Sequence, residues 1–201
     1  MGLESWLEAT KGNLVLHTLE GVTLWESFHF PTDTLLPQQL LTRNTKLVSS
    51  RSQSNYSSSF YKLFFDNDIL LCLLYDGLEI SSIYWFDPWL VSWDAQRSTN
   101  NNSRIAVLDS LGNFSSSDDF TAVSADYGAV LHRRLTIDYD GDIRVYSWKE
   151  KEEKWVISWQ AIQKPCKIHG ICGVNSIFSY VIGSERKCLP RYTMKNHTDW
   201  S

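Results

Sequence analysis

The chain has 201 residues and a formal charge of −4, with 43% hydrophobic and 21% charged residues. That composition argues against disorder over most of the chain, and the lack of any basic run beyond His132-Arg133-Arg134 disfavours nucleic-acid binding. No apolar stretch reaches transmembrane length, and the opening MGLESWLEATKGN lacks the charged and apolar regions of a signal peptide.

Nine Trp, nine Tyr and nine Phe enrich the chain in residues that favour strands and fill cores or interfaces. Taken in chain order, the first hairpin signal is Gly12-Asn13, where Gly and Asn tolerate the positive φ of tight turns. The Pro-bounded FPTDTLLPQQLL follows, then the Ser-rich loop SSRSQSNYSSS (49–59). The stretch LLCLLYDGLEISSIYW (70–85) predicts strand, Asp76-Gly77 turn, strand. An Asn-rich loop at 98–103 precedes a turn at Gly112-Asn113. In RRLTIDYDGDIRVYSW (133–148), Asp140-Gly141 turns between strands with period-two alternation: Leu135 and Ile137 on one side, Ile143 and Val145 on the other. Residues Lys149 to Lys154 form a charged tip before a last strand in KWVISWQAI (154–162). Helical periodicity is weak throughout, so the chain is predicted all-β, with many short strands. Three segments are expected: 1–41, 42–160, and an irregular, cysteine-bearing 161–201.

Period two puts Asp138, Asp140, Asp142, Arg144 and Tyr146 on one face. Two readings fit: a degenerate sugar or cation site, or a solvated hairpin face neutralised by Arg144. An EF-hand is excluded, because the twelfth loop position from Asp138 is Lys149 instead of Glu. Cys166, His169, Cys172 and Cys188 offer a Cys3His set, but their spacing matches no common zinc finger, and disulfide use is the favoured reading. N-x-[ST] sequons at Asn55, Asn101, Asn113 and Asn196 point to the secretory route as glycosylation sites. Set against the missing signal peptide, they suggest a fragment of a longer product.

Enzyme motifs are lacking: no G-x-S-x-G, phosphate-binding Gly loop, H-E-x-x-H or kinase set occurs. The pairs Asp118-Asp119 and Glu152-Glu153 fall in polar stretches expected to be exposed, without an acid–base partner. Neither a cofactor nor a metal is expected.

The run GNLVLHTLEGVTLWESFHFPTDTLLPQQLL (12–41) resembles the end of a bulb-type lectin domain in plant S-domain (G-type lectin) receptor-like kinases. YKLFFDNDILLCLLYDGLEISSIYW, SRIAVLDSLGNFSSSD and RRLTIDYDGDIRVYSW are similar to the S-locus glycoprotein segment of that family, and WVISWQAIQKPCKIHGICGVNSIFSY to its junction with an EGF-like module. The resemblance implies a β-prism-like lectin architecture: an incomplete first lectin domain (1–41), a second lectin-like domain (42–160) and a truncated EGF-like segment (161–201). It also implies an extracellular or plasma-membrane ectodomain with a protein, peptide or glycan ligand, in a family linked with pollen recognition and self-incompatibility. Association with related receptor ectodomains, as a decoy or structural product, is the alternative.

The resemblance carries over residue by residue. The family's mannose strand uses Gln, Asp, Asn, Val and Tyr at alternate positions. Here Ala9, Lys11, Asn13, Val15 and His17 occupy them, so only Asn13 and Val15 survive, and useful mannose affinity is not expected. In the EGF-like segment, Cys166 and Cys172 match the first two cysteines, Phe178 stands where the third belongs, and Cys188 matches the fourth. That implies a Cys172–Cys188 disulfide in a loosely ordered segment, with free thiols at Cys72 and Cys166.

Overall fold

The computed structural model describes residues 5–10, 12–87, 90, 92, 94–171, 176–179 and 185–188. The strands in chain order are β1 (Ser5–Thr10), β2 (Asn13–Thr18), β3 (Thr23–Glu26), β4 (Thr34–Leu35), β5 (Leu40–Thr42) and β6 (Leu47–Ser50). There follow β7 (Ser58–Phe65), β8 (Leu71–Asp76), β9 (Ser81–Trp85), β10 (Ile105–Leu108), β11 (Asn113–Ser116) and β12 (Thr121–Val123). The last are β13 (Arg133–Ile137), β14 (Ile143–Lys149), β15 (Lys154–Gln160), β16 (Ser176–Ser179) and β17 (Glu185–Cys188). Among the described residues the only helices are three single 3-10 turns, so the chain is all-β, as its turn signals predict.

Each of the four hairpin dipeptides joins neighbouring antiparallel strands: β1–β2, β8–β9, β10–β11 and β13–β14. At Gly141 the reason is steric. Its φ is +88°, and a Cβ there would lie 2.6 Å from the Tyr61 ring. The charged tip is a 3-10 turn, Glu150–Glu152, closing β14 onto β15 through the Lys149–Lys154 pair.

Three four-stranded antiparallel sheets, β12-β11-β10-β5, β15-β14-β13-β4 and β6-β7-β8-β9, share one apolar core, a β-prism-like arrangement. Alternation drives it. In β14 the buried positions Ile143, Val145 and Ser147 alternate with half-buried Arg144, Tyr146 and Trp148. Phe114, Leu63, Leu73, Leu108 and Ile137 are fully buried at its centre.

The segment from Thr34 to Ser50 lays one edge strand into each of the three sheets. Leu35 pairs with Leu135, Leu41 with Ala106 and Leu47 with Leu63, and all three leucines have 0% exposure. Pro37, with no N–H for a ladder, falls between β4 and β5, where the chain leaves one sheet for another. The strands on either side of residue 41 therefore enter the same core.

Strands β1, β2 and β3 form a separate three-stranded sheet, in the order β1-β2-β3. Gln39 ties its exit to the prism: its side chain accepts from Leu36 N (3.0 Å) and donates to Phe28 O (3.1 Å). Leu7, Leu14 and Trp25 stay exposed at 61%, 42% and 40%, and the Trp25 ring stacks on Phe30.

Asp118 departs from expectation. It is fully buried and ion-paired to buried Arg97, and it accepts from Leu71 N at 2.7 Å. Arg97 lies 5.1–5.7 Å from the Trp85, Phe86 and Phe120 ring centroids. A buried carboxylate is tolerable because a cation and a backbone N–H complete its shell. Asp119 is exposed, as are Glu152 and Glu153.

Candidate functional site

The side chains singled out by period two do meet, although Asp142 is fully buried and does not share the exposed face of the others. They converge around a hairpin, not along one strand: β13 ends at Ile137, the chain turns through Asp138 to Asp142, and β14 begins at Ile143. Asp138, Asp140 and Asp142 thereby surround Arg144. Its guanidinium donates to Asp138 and bidentately to Asp140 (3.0 and 2.7 Å), and lies 3.3 Å from Asp142. The Tyr146 hydroxyl donates to Asp138 at 2.7 Å.

Burial opposes the charge on Arg144, but the bonds from Asp140 and Asp138 outweigh it and hold its pKa above the ordinary value. Asp142 is the outlier. It is fully buried, its Oδ1 accepts from Ile162 N (3.0 Å), and desolvation raises its pKa to about 7 despite Arg144. Burial and the Asp138 bond raise the Tyr146 pKa. Asp138 and Asp140 share Arg144 at the surface while Asp142 meets it from below, and no His/Cys/Asp/Glu cluster able to hold a metal occurs among the described residues.

This network forms one wall of an open cleft of about 610 Å3, and the β6–β7 loop, with Ser52, Gln53 and Tyr56, forms another. Sequence reasoning missed Arg134, whose guanidinium carbon lies 5.2 Å from the Tyr146 ring centroid and 4.5 Å from that of Trp155. Extending the period-two face back along β13 would have reached it, since Arg134 pairs with Tyr146, but the Trp155 contact comes from a strand that does not pair with β13.

The other expected positions lie elsewhere. Asn13 uses both ends of its amide within the fold: it donates to Glu26 (3.0 Å) and accepts from Ser27 Oγ and Phe28 N (3.1 Å each). Val15 is half-buried between Glu8 of β1 and Glu26 of β3. Asn55 and Asn101 are exposed in loops, each accepting from the backbone N–H of its sequon Ser at 3.1 Å. Asn113 is instead the half-buried first residue of β11. Cys72 is a buried free thiol in β8, whose pKa is raised by burial and then by Asp66. Cys166 is half-buried in a 3-10 turn. Cys172, the Cys188 side chain and Asn196 lie outside the described residues.

The S-locus glycoprotein domain family model matches residues 90–196, and the chain belongs to that family. A receptor protein kinase of Zea mays, ZmPK1, is 40% identical over 182 residues, which are 88% of this chain and 22% of the relative. A G-type lectin S-receptor-like serine/threonine-protein kinase of Arabidopsis thaliana is 30% identical, over 86% of this chain and 22% of its own length. The chain thus spans about a fifth of these relatives. Among solved structures, the Japanese Marasmius oreades lectin aligns over 70% of this chain and 99% of its own at 16% identity, with a TM-score of 0.43, too low to bear on ligand or mechanism. No helix among the described residues is long and apolar enough to cross a membrane.

Proposed function

We propose that this chain is a non-catalytic recognition module from the extracellular side of a lectin-type receptor kinase, in a family linked with pollen recognition and self-incompatibility signalling. Its β1-β2-β3 sheet corresponds to the end of a first lectin domain and its three-sheet prism to a second. A protein, peptide or glycan ligand is received in the cleft between the β6–β7 loop and the Asp138–Arg144–Tyr146 network. The observation that supports this most is the cleft wall itself, in which acidic, hydroxyl and aromatic groups are held in fixed positions. Titration of the secreted chain against glycan and peptide panels tests it. Binding weakened by Gln160→Ala, a cleft substitution outside the network, supports the reading, and binding insensitive to every cleft substitution rejects it.

A second reading, association with related receptor ectodomains as a decoy or structural product, is favoured by the exposed apolar residues Leu7, Leu14 and Trp25. Co-sedimentation with a related ectodomain, lost on Leu7→Ser with Leu14→Ser, would support it.

A further inference from the structure

Resting on that reading of the cleft, we infer that Arg134 is its anion-recognition residue and that the ligand is an acidic saccharide, a glycan bearing uronic acid. The two cleft arginines differ sharply. Arg144 is enclosed by Asp138, Asp140 and Asp142, whereas the Arg134 side chain makes no hydrogen bond or ion pair among the described residues. The Nε of each is buried without a partner, so the difference lies in the terminal nitrogens, which in Arg144 are taken up by carboxylates.

Arg134 is nonetheless held in place. The Tyr146 and Trp155 rings both lie against its guanidinium, and Trp155 is braced edge-on by Trp148, with centroids 5.5 Å apart. Tyr146 is fixed in turn through its hydroxyl on Asp138. A half-buried guanidinium, preorganised and without a counter-charge, is completed by a planar oxyanion that accepts from its N–H edge.

The rest of the lining selects among anions. Ser50, Ser52, Gln53 and Gln160 supply hydroxyls and amides that both donate and accept. Tyr56, 83% exposed at the rim, offers a ring face for the C–H side of a sugar. Ile157 is the sole aliphatic residue in the lining, so the apolar sockets that anchor peptides are scarce. Formal charge argues against dense polyanions: Asp33, Asp138 and Asp140 outnumber Arg134 and Arg144, three to two. One carboxylate per ring, flanked by hydroxyls, suits this mixture. The carboxylate meets Arg134, and the hydroxyls meet the polar wall.

Calorimetry on the secreted full chain with trigalacturonate, the equivalent neutral galactose trimer and a glutamate-rich hexapeptide tests the assignment. Trigalacturonate should bind, and the neutral trimer should bind at least about tenfold less well. Arg134→Gln should remove that preference, with Arg134→Lys intermediate because it loses the planar fork. Tyr56→Ala, at an exposed rim position, should weaken trigalacturonate without lowering the melting temperature, which keeps the test valid if Arg134→Gln unfolds. Equal binding of the two trimers, or tighter binding of the hexapeptide, overturns the acidic-saccharide assignment and leaves the recognition reading intact. Absence of binding by all three probes also overturns it, and the broader panels then decide the recognition reading separately.

Discussion

The Tyr146 hydroxyl donates to Asp138 at 2.7 Å across the β13–β14 hairpin, while the Tyr146 ring lies against Arg134. One side chain therefore links the acidic end of the cleft to its aromatic, basic end. Tyr146→Phe keeps the ring and removes the bond, and should cost about 1 kcal/mol in stability. A lower urea midpoint with unchanged slope would register it. An unchanged midpoint would show that the bond adds no stability.

Asp142 gives a pH dependence with a definite sign. Its folded pKa is raised to about 7 by burial, whereas an unfolded Asp titrates near about 4. The folded state then holds a proton that the unfolded state has released, so this group's contribution to stability declines as pH rises between those values and levels off above 7. Subtracting the stability profile of Asp142→Asn from that of the native chain should isolate this decline. A flat or rising difference between pH 4 and 7 would contradict the assignment.

Leu35 and Leu41, on two different sheet edges, are both fully enclosed in the prism core. Leu35→Ala and Leu41→Ala should each destabilise by about 2–5 kcal/mol through lost burial and residual cavity. A chain beginning at Arg43 should show no cooperative thermal transition, since two sheets then lack an edge strand. A truncated chain that melts like the parent would place the domain start after residue 42.

Cys72 should be inert in the folded protein. It is 4% exposed, and burial and then Asp66 raise its pKa, so thiolate is scarce. Mass mapping after brief alkylation should find Cys72 unmodified in native buffer and fully modified in denaturant. Rapid native labelling would mean that β8 opens readily.

What the sequence determined by itself was local. Strand periodicity and the dipeptides Gly12-Asn13, Asp76-Gly77, Gly112-Asn113 and Asp140-Gly141 dictated the hairpins, because turn geometry depends on the backbone freedom of one or two residues. Tertiary structure decided what depends on distant partners. Leu35 meets Leu135, a hundred residues on, only once three sheets close around one core. Asp118 reads as exposed until Arg97 is folded beside it. At the cleft the enclosure of Arg144 by Asp138, Asp140 and Asp142 was local too, because it follows from the Asp140-Gly141 hairpin. Arg134 shares that hairpin face and pairs with Tyr146, but only the fold brings Trp155 against it from a strand that does not pair with its own.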